Sequence, residues 1–122
     1  MAQYPIYTTR GDWAAMLIDA YLYNPRGDWV GYINKNGQVF SIMGKYVGWL
    51  SKDFRILRKK VQDETIPAFP PPTRPALKVR LPAHVSLPPL MADLPFDTYD
   101  VMDDDPERLH TLDDDPDARD MD

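Results

Sequence analysis

Over residues 1–60 the apolar positions fall in runs of four to six, β-branched or aromatic, separated by Gly, Asn, Asp and Pro, and none of these runs has a helical period. Runs of this kind read as strands. The pattern predicts strands at 13–18, 21–23, 29–34, 39–42, 46–51 and 54–57, with a short leading strand at 5–7. The pattern also repeats. Tyr7, Thr8, Thr9, Arg10, Gly11, Asp12, Trp13 recurs 16 residues later as Tyr23, Asn24, Pro25, Arg26, Gly27, Asp28, Trp29. A step of 17 then carries Tyr23 to Phe40, Gly27 to Gly44, Trp29 to Tyr46, Gly31 to Gly48 and Tyr32 to Trp49. The next step lands on Leu57, where Arg58, Lys59 and Lys60 follow without a glycine, so a fourth copy is expected to be truncated or degenerate. A fixed repeat of this kind predicts a structure of equivalent units. The expected fold is all-β: a small antiparallel, barrel-like or petal-like assembly of three to four β-hairpin repeats of 16–17 residues, followed by a mostly disordered C-terminal tail.

The turn chemistry agrees with hairpins. Gly11, Gly27 and Gly44 hold the same repeat position, and Asn24-Pro25-Arg26-Gly27 is a turn in which Pro presets φ and Gly takes the positive φ. Asn36-Gly37 between two apolar runs favours a type I′ hairpin turn, with Lys52 and Asp53 in the matching place. Gly31 and Gly48 lie inside strands, where glycine marks a bulge or a close approach. Their neighbours Trp29, Tyr32, Tyr46 and Trp49 suggest that rings of one unit lie across the glycine of the next. Trp13, Trp29 and Trp49 are accordingly expected in the core, and hairpins arranged around an axis would hide their edges.

These units carry a resemblance. Residues 6–60, with IYTTRGDW, LYNPRGDWVGYI and FSIMGKYVGWL and the repeated G-x-x-V-G-x-I/L pattern, resemble the 4-fold beta flower family, in which short hairpin repeats stand like petals around an approximate four-fold axis. The resemblance implies a fold and no chemistry. It departs from the family pattern at the fourth unit, which lacks its glycine. A weaker likeness to the PRC-barrel domain rests on the same G-x-x-V-G strand pair and would imply an adaptor in RNA processing or photosynthesis.

Composition divides the chain. All 6 glycines fall at or before Gly48 and 11 of the 13 prolines at or after Pro67. Residues 1–60 hold nine Lys and Arg against four Asp, whereas the remainder holds five against fifteen acids, so the net −5 sums two opposite halves. The division expected is a β-hairpin repeat domain at 1–62, a proline-rich extended linker at 63–95 and an acidic tail at 96–122. A domain of that size buries only about 60% of its unfolded surface, so it should be marginal alone, oligomeric, or braced by the tail. Within the linker, residues 77–81 alternate apolar and basic side chains, which would suit a strand added to an open edge, although an extended stretch without a fixed partner is the first expectation. In the tail, Asp105 as N-cap and Pro106 at the first position could start a short helix near 106–112 with Leu109 and Leu112 on one side. Disorder that orders on binding is the better expectation.

The absence of cysteine excludes a disulfide framework, a thiol nucleophile and cysteine metal sites. No basic start leads into an apolar run of roughly 7 to 15 residues and no stretch of about 18 apolar residues occurs, so neither signal peptide nor membrane span is expected and the location expected is cytoplasmic. The aspartate clusters lack the glycine and spacing of a calcium loop. His84 and His110 have no third ligand nearby, and Ser41, Ser51 and Ser86 lack a nucleophile context. Gly11, Gly27 and Gly44 lead into no helix and so make no phosphate loop. Asp12 and Asp28 are expected to bond within their turns or pair with Arg10 and Arg26. No cofactor and no catalytic residue are expected.

What remains is binding. The residues expected to bind are Lys52, Arg55, Arg58, Lys59 and Lys60, which with Lys35, Lys45, Tyr32, Tyr46 and Trp49 could suit nucleic acid. The acidic tail offers a competing partner for the same charges, weak and salt-dependent. The first reading is a non-catalytic interaction module presenting a proline-rich and acidic segment to a protein partner or to a second copy. The alternative is a nucleic-acid or anionic-surface binder masked by its own tail. An exposed basic strip over residues 55–60 would favour the alternative, and a strip covered by tail acids would not.

Overall fold

The computed structural model describes residues 3–61, 75–76 and 78–109. Among the described residues eight strands form one antiparallel sheet in sequence order: β1 (Gln3–Tyr7), β2 (Trp13–Ile18), β3 (Tyr21–Tyr23), β4 (Trp29–Ile33), β5 (Gln38–Ser41), β6 (Tyr46–Leu50), β7 (Ile56–Lys59) and β8 (Thr98–Asp100). Helix α1 (Val101–Asp104) and a 3-10 turn at Pro106–Arg108 follow. The strands pair as four hairpins, β1 with β2, β3 with β4, β5 with β6 and β7 with β8, so the sheet has four petals. The fourth repeat is therefore complete. Its second strand was invisible at the 17-residue step because some 36 residues separate it from Lys60, whose N–H bonds to Asp97 O at 2.8 Å as Thr8 N–H bonds to Asp12 O in the first petal. Residues expected in an acidic tail thus supply an edge strand of the sheet.

One turn design recurs in the first three petals and in the connections after β4 and β6. Thr8, Asn24, Asn34, Ser41 and Ser51 each accept, on the backbone carbonyl, the N–H of the residue three positions on, and donate their own N–H to the carbonyl four positions on. Their side-chain oxygens also take an amide N–H of the turn, for example Asn24 Oδ1 from Arg26 N and Asp28 N at 3.0 Å each. The fourth residue is left-handed: Gly11, Gly27, Gly37, Gly44 and Phe54 have φ of +92, +89, +79, +82 and +62°. Asn36-Gly37 therefore does not make a type I′ turn. Asn34 opens the loop through its side chain, and only Gly37 needs positive φ, the pattern of a three-residue loop ending in a left-handed residue. The two-residue turn with both central φ positive lies instead at Asp19 (+49°) and Ala20 (+74°). Strand β7 begins at Ile56, not at residue 54, because Phe54 is the left-handed residue of its turn.

Each of the first three petals also carries a bulge. Pairing skips Ala14 between Tyr7↔Trp13 and Ile6↔Ala15, Val30 in the second petal and Val47 in the third. The extra residue opposes no partner, which turns its side chain. Val30 and Val47 thereby join the axial core, which contains Ile6, Leu22, Val39 and Ile56, one from each petal and none more than 1% exposed. Val101 and Leu109, from beyond β8, complete it. Each such side chain contributes about 1.5–3 kcal/mol. A Cβ at Gly48 would stand 2.1 Å from Leu57 O, and one at Gly31 would stand 2.5 Å from Phe40 O and 2.8 Å from Leu109 Cδ2. The neighbouring strand's carbonyl, rather than an aromatic ring, crosses at these glycines. The tryptophans differ too: Trp29 is buried, while Trp13 and Trp49 are half-buried.

The helix start expected at Asp105 and Pro106 is found, but it opens a 3-10 turn of three residues, and a separate helix, α1, precedes it. Asp100 caps α1 by accepting Met102 N–H at 3.1 Å, while Asp105 makes no side-chain cap and instead pairs with Arg108. Leu109 is buried as part of the core; Leu112 and His110 lie outside the described residues.

Candidate interaction surface

The long excursion inside the fourth petal returns across the sheet as a strap, of which residues 75–76 and 78–92 are described. It is held at repeated positions of the domain. Tyr23 OH donates to Ala76 O at 3.1 Å, and the equivalent Tyr7 OH donates to Ser86 O at 2.8 Å. Burial, with Tyr21 and Asp19 beside it, pushes the Tyr23 phenol pKa up, so its hydroxyl stays protonated and able to donate. Gly27 O accepts Val79 N–H at 2.8 Å, and a Cβ on Gly27 would meet Val79 O at 2.0 Å. At the equivalent Gly11 a Cβ would stand 3.5 Å from Pro88 Cγ. Val79, Leu81 and Val85 pack on the second cluster, which includes Met16, Ile18, Tyr23, Trp29 and Phe40. The alternating segment thus meets the domain at a turn, through a single bridge between Asp28 and Lys78 rather than as a full strand.

Asp28 pairs with Lys78 at 2.9 Å and Arg26 at 3.6 Å, and the hydrogen bond from Lys78 is the chief cause holding its carboxyl below the ordinary range. Arg10 pairs with Asp103 at 2.8 Å. Beside the Lys78 bridge a cleft of about 420 Å³ is lined by Pro25, Arg26, Lys78, Val79, Arg80 and Leu81.

The far end of the strap is locked by a buried ion pair. Arg55 is 1% exposed; its Nη2 lies 2.5 Å from Asp53 Oδ2 and donates to Ala92 O at 2.8 Å, while its Nη1 reaches Thr9 Oγ1 at 3.2 Å. Thr9 passes the connection on, donating from N and Oγ1 to Asp100 Oδ2 at 2.6 and 2.7 Å. Burial pushes the Asp53 carboxyl up, but hydrogen bonds from Arg55, Ser51 and Ala92 N–H outweigh it and hold it at about 2. One network thus joins the first outer turn, the turn before β7, the strap and β8. Next to it opens a cleft of about 460 Å³ between Lys52 and Leu57 on the domain and Pro89, Leu90, Leu94 and Pro95 on the strap.

The five cations expected to bind form no strip. Arg55 is internal. Arg58 is half-buried, donating from Nη1 to Tyr46 O and Val47 O at 3.2 and 3.0 Å with its guanidinium 5.6 Å from the Tyr46 ring centre. Lys59 pairs with Asp97 at 3.0 Å, which lowers that carboxyl's pKa. Lys52 and Lys60 are exposed at opposite ends of β7 and its turn. Among the described residues no group of three or more His, Cys, Asp or Glu is arranged to hold a metal ion, and no helix is long and apolar enough to cross a membrane.

Sequence reasoning missed the outward side of the strap, where Leu87, Leu90 and Phe96 are 90, 99 and 92% exposed. The signal was present as apolar residues interleaved with Pro88, Pro89 and Pro95.

Four repeated hairpins around one apolar axis, crossed by an extended strap, define a small all-β petal domain. Residues 4–93 match the family model of the 4-fold beta flower proteins, well over half of the chain, and the chain belongs to that family. No curated protein and no solved structure matches it.

Proposed function

We propose that this protein is a non-catalytic interaction module in which the petal domain holds a proline-rich segment in fixed form for a protein partner. The observation that carries this reading is the exposure of Leu87, Leu90 and Phe96 on a segment anchored at Tyr7 and again at Asp53 and Arg55. Three large apolar side chains left almost fully exposed within ten residues of one anchored segment favour a contact with a partner. Anchoring reduces the entropy a partner must remove on binding, which favours affinity.

A photo-crosslinking residue at position 90 of the full chain, used in extracts of the source cells, should give one dominant adduct. Leu87→Asp with Phe96→Asp should abolish that adduct and leave the melting temperature unchanged, since both side chains face solvent. An adduct pattern identical in the two proteins would refute the reading.

A further inference from the structure

The inward side of the strap supports a separate inference. Tyr7 and Tyr23 occupy one repeat position, Gly11 and Gly27 another, and the strap uses both pairs: both hydroxyls donate to its carbonyls, Gly27 lies under its backbone at Val79, and Gly11 faces the Pro88 side chain. The hydroxyl and Gly27 contacts read an extended main chain and not particular side chains. Side-chain selection is confined to Lys78 on Asp28, to Val79, Leu81 and Val85 on the aromatic cluster and to Pro88 at Gly11. A bare glycine, aromatic walls and tyrosine hydroxyls aimed at the carbonyls of a proline-flanked strand are the elements by which proline-rich peptides are recognised, because such peptides have little conformational freedom left to lose.

We propose that the face formed by the first two petals is a binding site for extended, proline-flanked peptides bearing a basic residue followed by alternating apolar ones, and that Ala76 and residues 78–88 are its tethered occupant. The proposal does not depend on the outward residues Leu87, Leu90 and Phe96. Tethering at both ends gives the resident segment a millimolar-scale effective concentration, so a peptide in solution competes only when the strap is weakened. The resident segment therefore also controls access to the face.

The experiment uses the full chain and a fluorescein-labelled peptide with the sequence of residues 75–92, measured by anisotropy. Lys78→Glu with Val79→Pro removes the ion pair and the N–H that bonds Gly27 O; both lie on the strap, outside the axial core. This variant should bind the peptide at least ten-fold more tightly than the unaltered chain. In a chain carrying Lys78→Ala with Val79→Pro, where no acid at position 78 can pair with the new lysine, adding Asp28→Lys should weaken peptide binding three-fold or more, and a peptide carrying Glu in place of its lysine should restore it. Lys78→Glu alone, which alters an exposed side chain, should show the same order with a smaller gain should the double variant be unstable. Equal affinity for altered and unaltered chains would overturn the proposal, as would failure of the charge exchange to restore binding. Were the crosslinked partner of position 90 lost while these affinities held, the presentation reading would fail and this one would stand.

Discussion

Replacing Arg55 by methionine removes the one cation among the described residues that is fully enclosed by the fold and leaves three acceptor groups behind it: the Asp53 carboxylate, Thr9 Oγ1 and the Ala92 carbonyl. Breaking a buried pair from one side costs about 3–5 kcal/mol, because the remaining charge has lost its partner. The Asp53 side chain retains 16% exposure, which allows water to reach it, so the lower end, about 3 kcal/mol, is expected here. For a domain of this size that corresponds to a fall in Tm of roughly 12–20 °C. Urea unfolding of Arg55→Met, Asp53→Asn and the double variant at pH 7 gives the coupling directly, and the cycle should close with an interaction of about 2 kcal/mol.

Acid separates this pair from the general charge balance. The folded pKa of Asp53, about 2, lies below that of an unfolded aspartate. Its contribution is therefore complete above the unfolded value of about 3.9 and is lost as pH falls through the folded one, on the order of 2 kcal/mol in all. Other carboxylates titrate in the same range, so the measured quantity is the difference between the natural chain and Asp53→Asn from pH 5 to pH 2. That difference should shrink as the pH falls. Parallel stability curves for the two proteins, or a cost below 1 kcal/mol for Arg55→Met, would refute the assignment of closure to this pair.

The glycines divide by cause. Gly48→Ala should cost more than 3 kcal/mol because its Cβ would strike the Leu57 carbonyl, whereas Gly37→Ala, with open space around it and φ of +79°, should cost about 1 kcal/mol; thermal melts compare them, and equal costs would contradict the packing account. Ala20→Gly at φ +74° should raise stability by about 0.5–1 kcal/mol, since a type I′ position disfavours any side chain. A chain ending at residue 62 should give no cooperative melt, because β8, Val101 and Leu109 are gone from the sheet and core, while one ending at residue 109 should melt as the whole chain does.

Strand positions in the first three petals could be read from sequence because the repeat set glycines and aromatic residues at constant spacing. The fourth petal could not. Its second strand is only Thr98-Tyr99-Asp100, three residues with no apolar alternation, placed after a proline-rich excursion that breaks the period. A charged residue is ordinarily outside, so the pattern places Arg55 on the surface; the clue is Asp53 two residues before it, in the turn between β6 and β7 that ends in Phe54 where the equivalent turns end in glycine. The inward bulges at Val30 and Val47 were hidden for a similar reason, since a one-residue irregularity leaves the hydrophobic pattern unchanged but moves a side chain to the other face.

The strap and the fourth petal are consequences of one event in the chain. In the first three petals the outer turn spans three loop residues; in the fourth it spans some 36, bracketed by the same Lys60 N–H to Asp97 O bond. Enlarging a hairpin loop about twelve-fold costs only about 2 kcal/mol in closure entropy, so the hairpin survives. Ordering the strap is a separate and larger cost, about 1–2 kcal/mol per residue for the backbone alone. The anchors that offset it fall at Tyr23, Gly27, Tyr7, Gly11 and Arg55, four of them repeat positions that exist whether or not a strap is present. A surface already shaped by the repeat thus accommodates an extended segment with few dedicated residues. The same economy implies a dock whose holding energy is spread over several weak contacts, the condition under which a peptide from another chain can take its place.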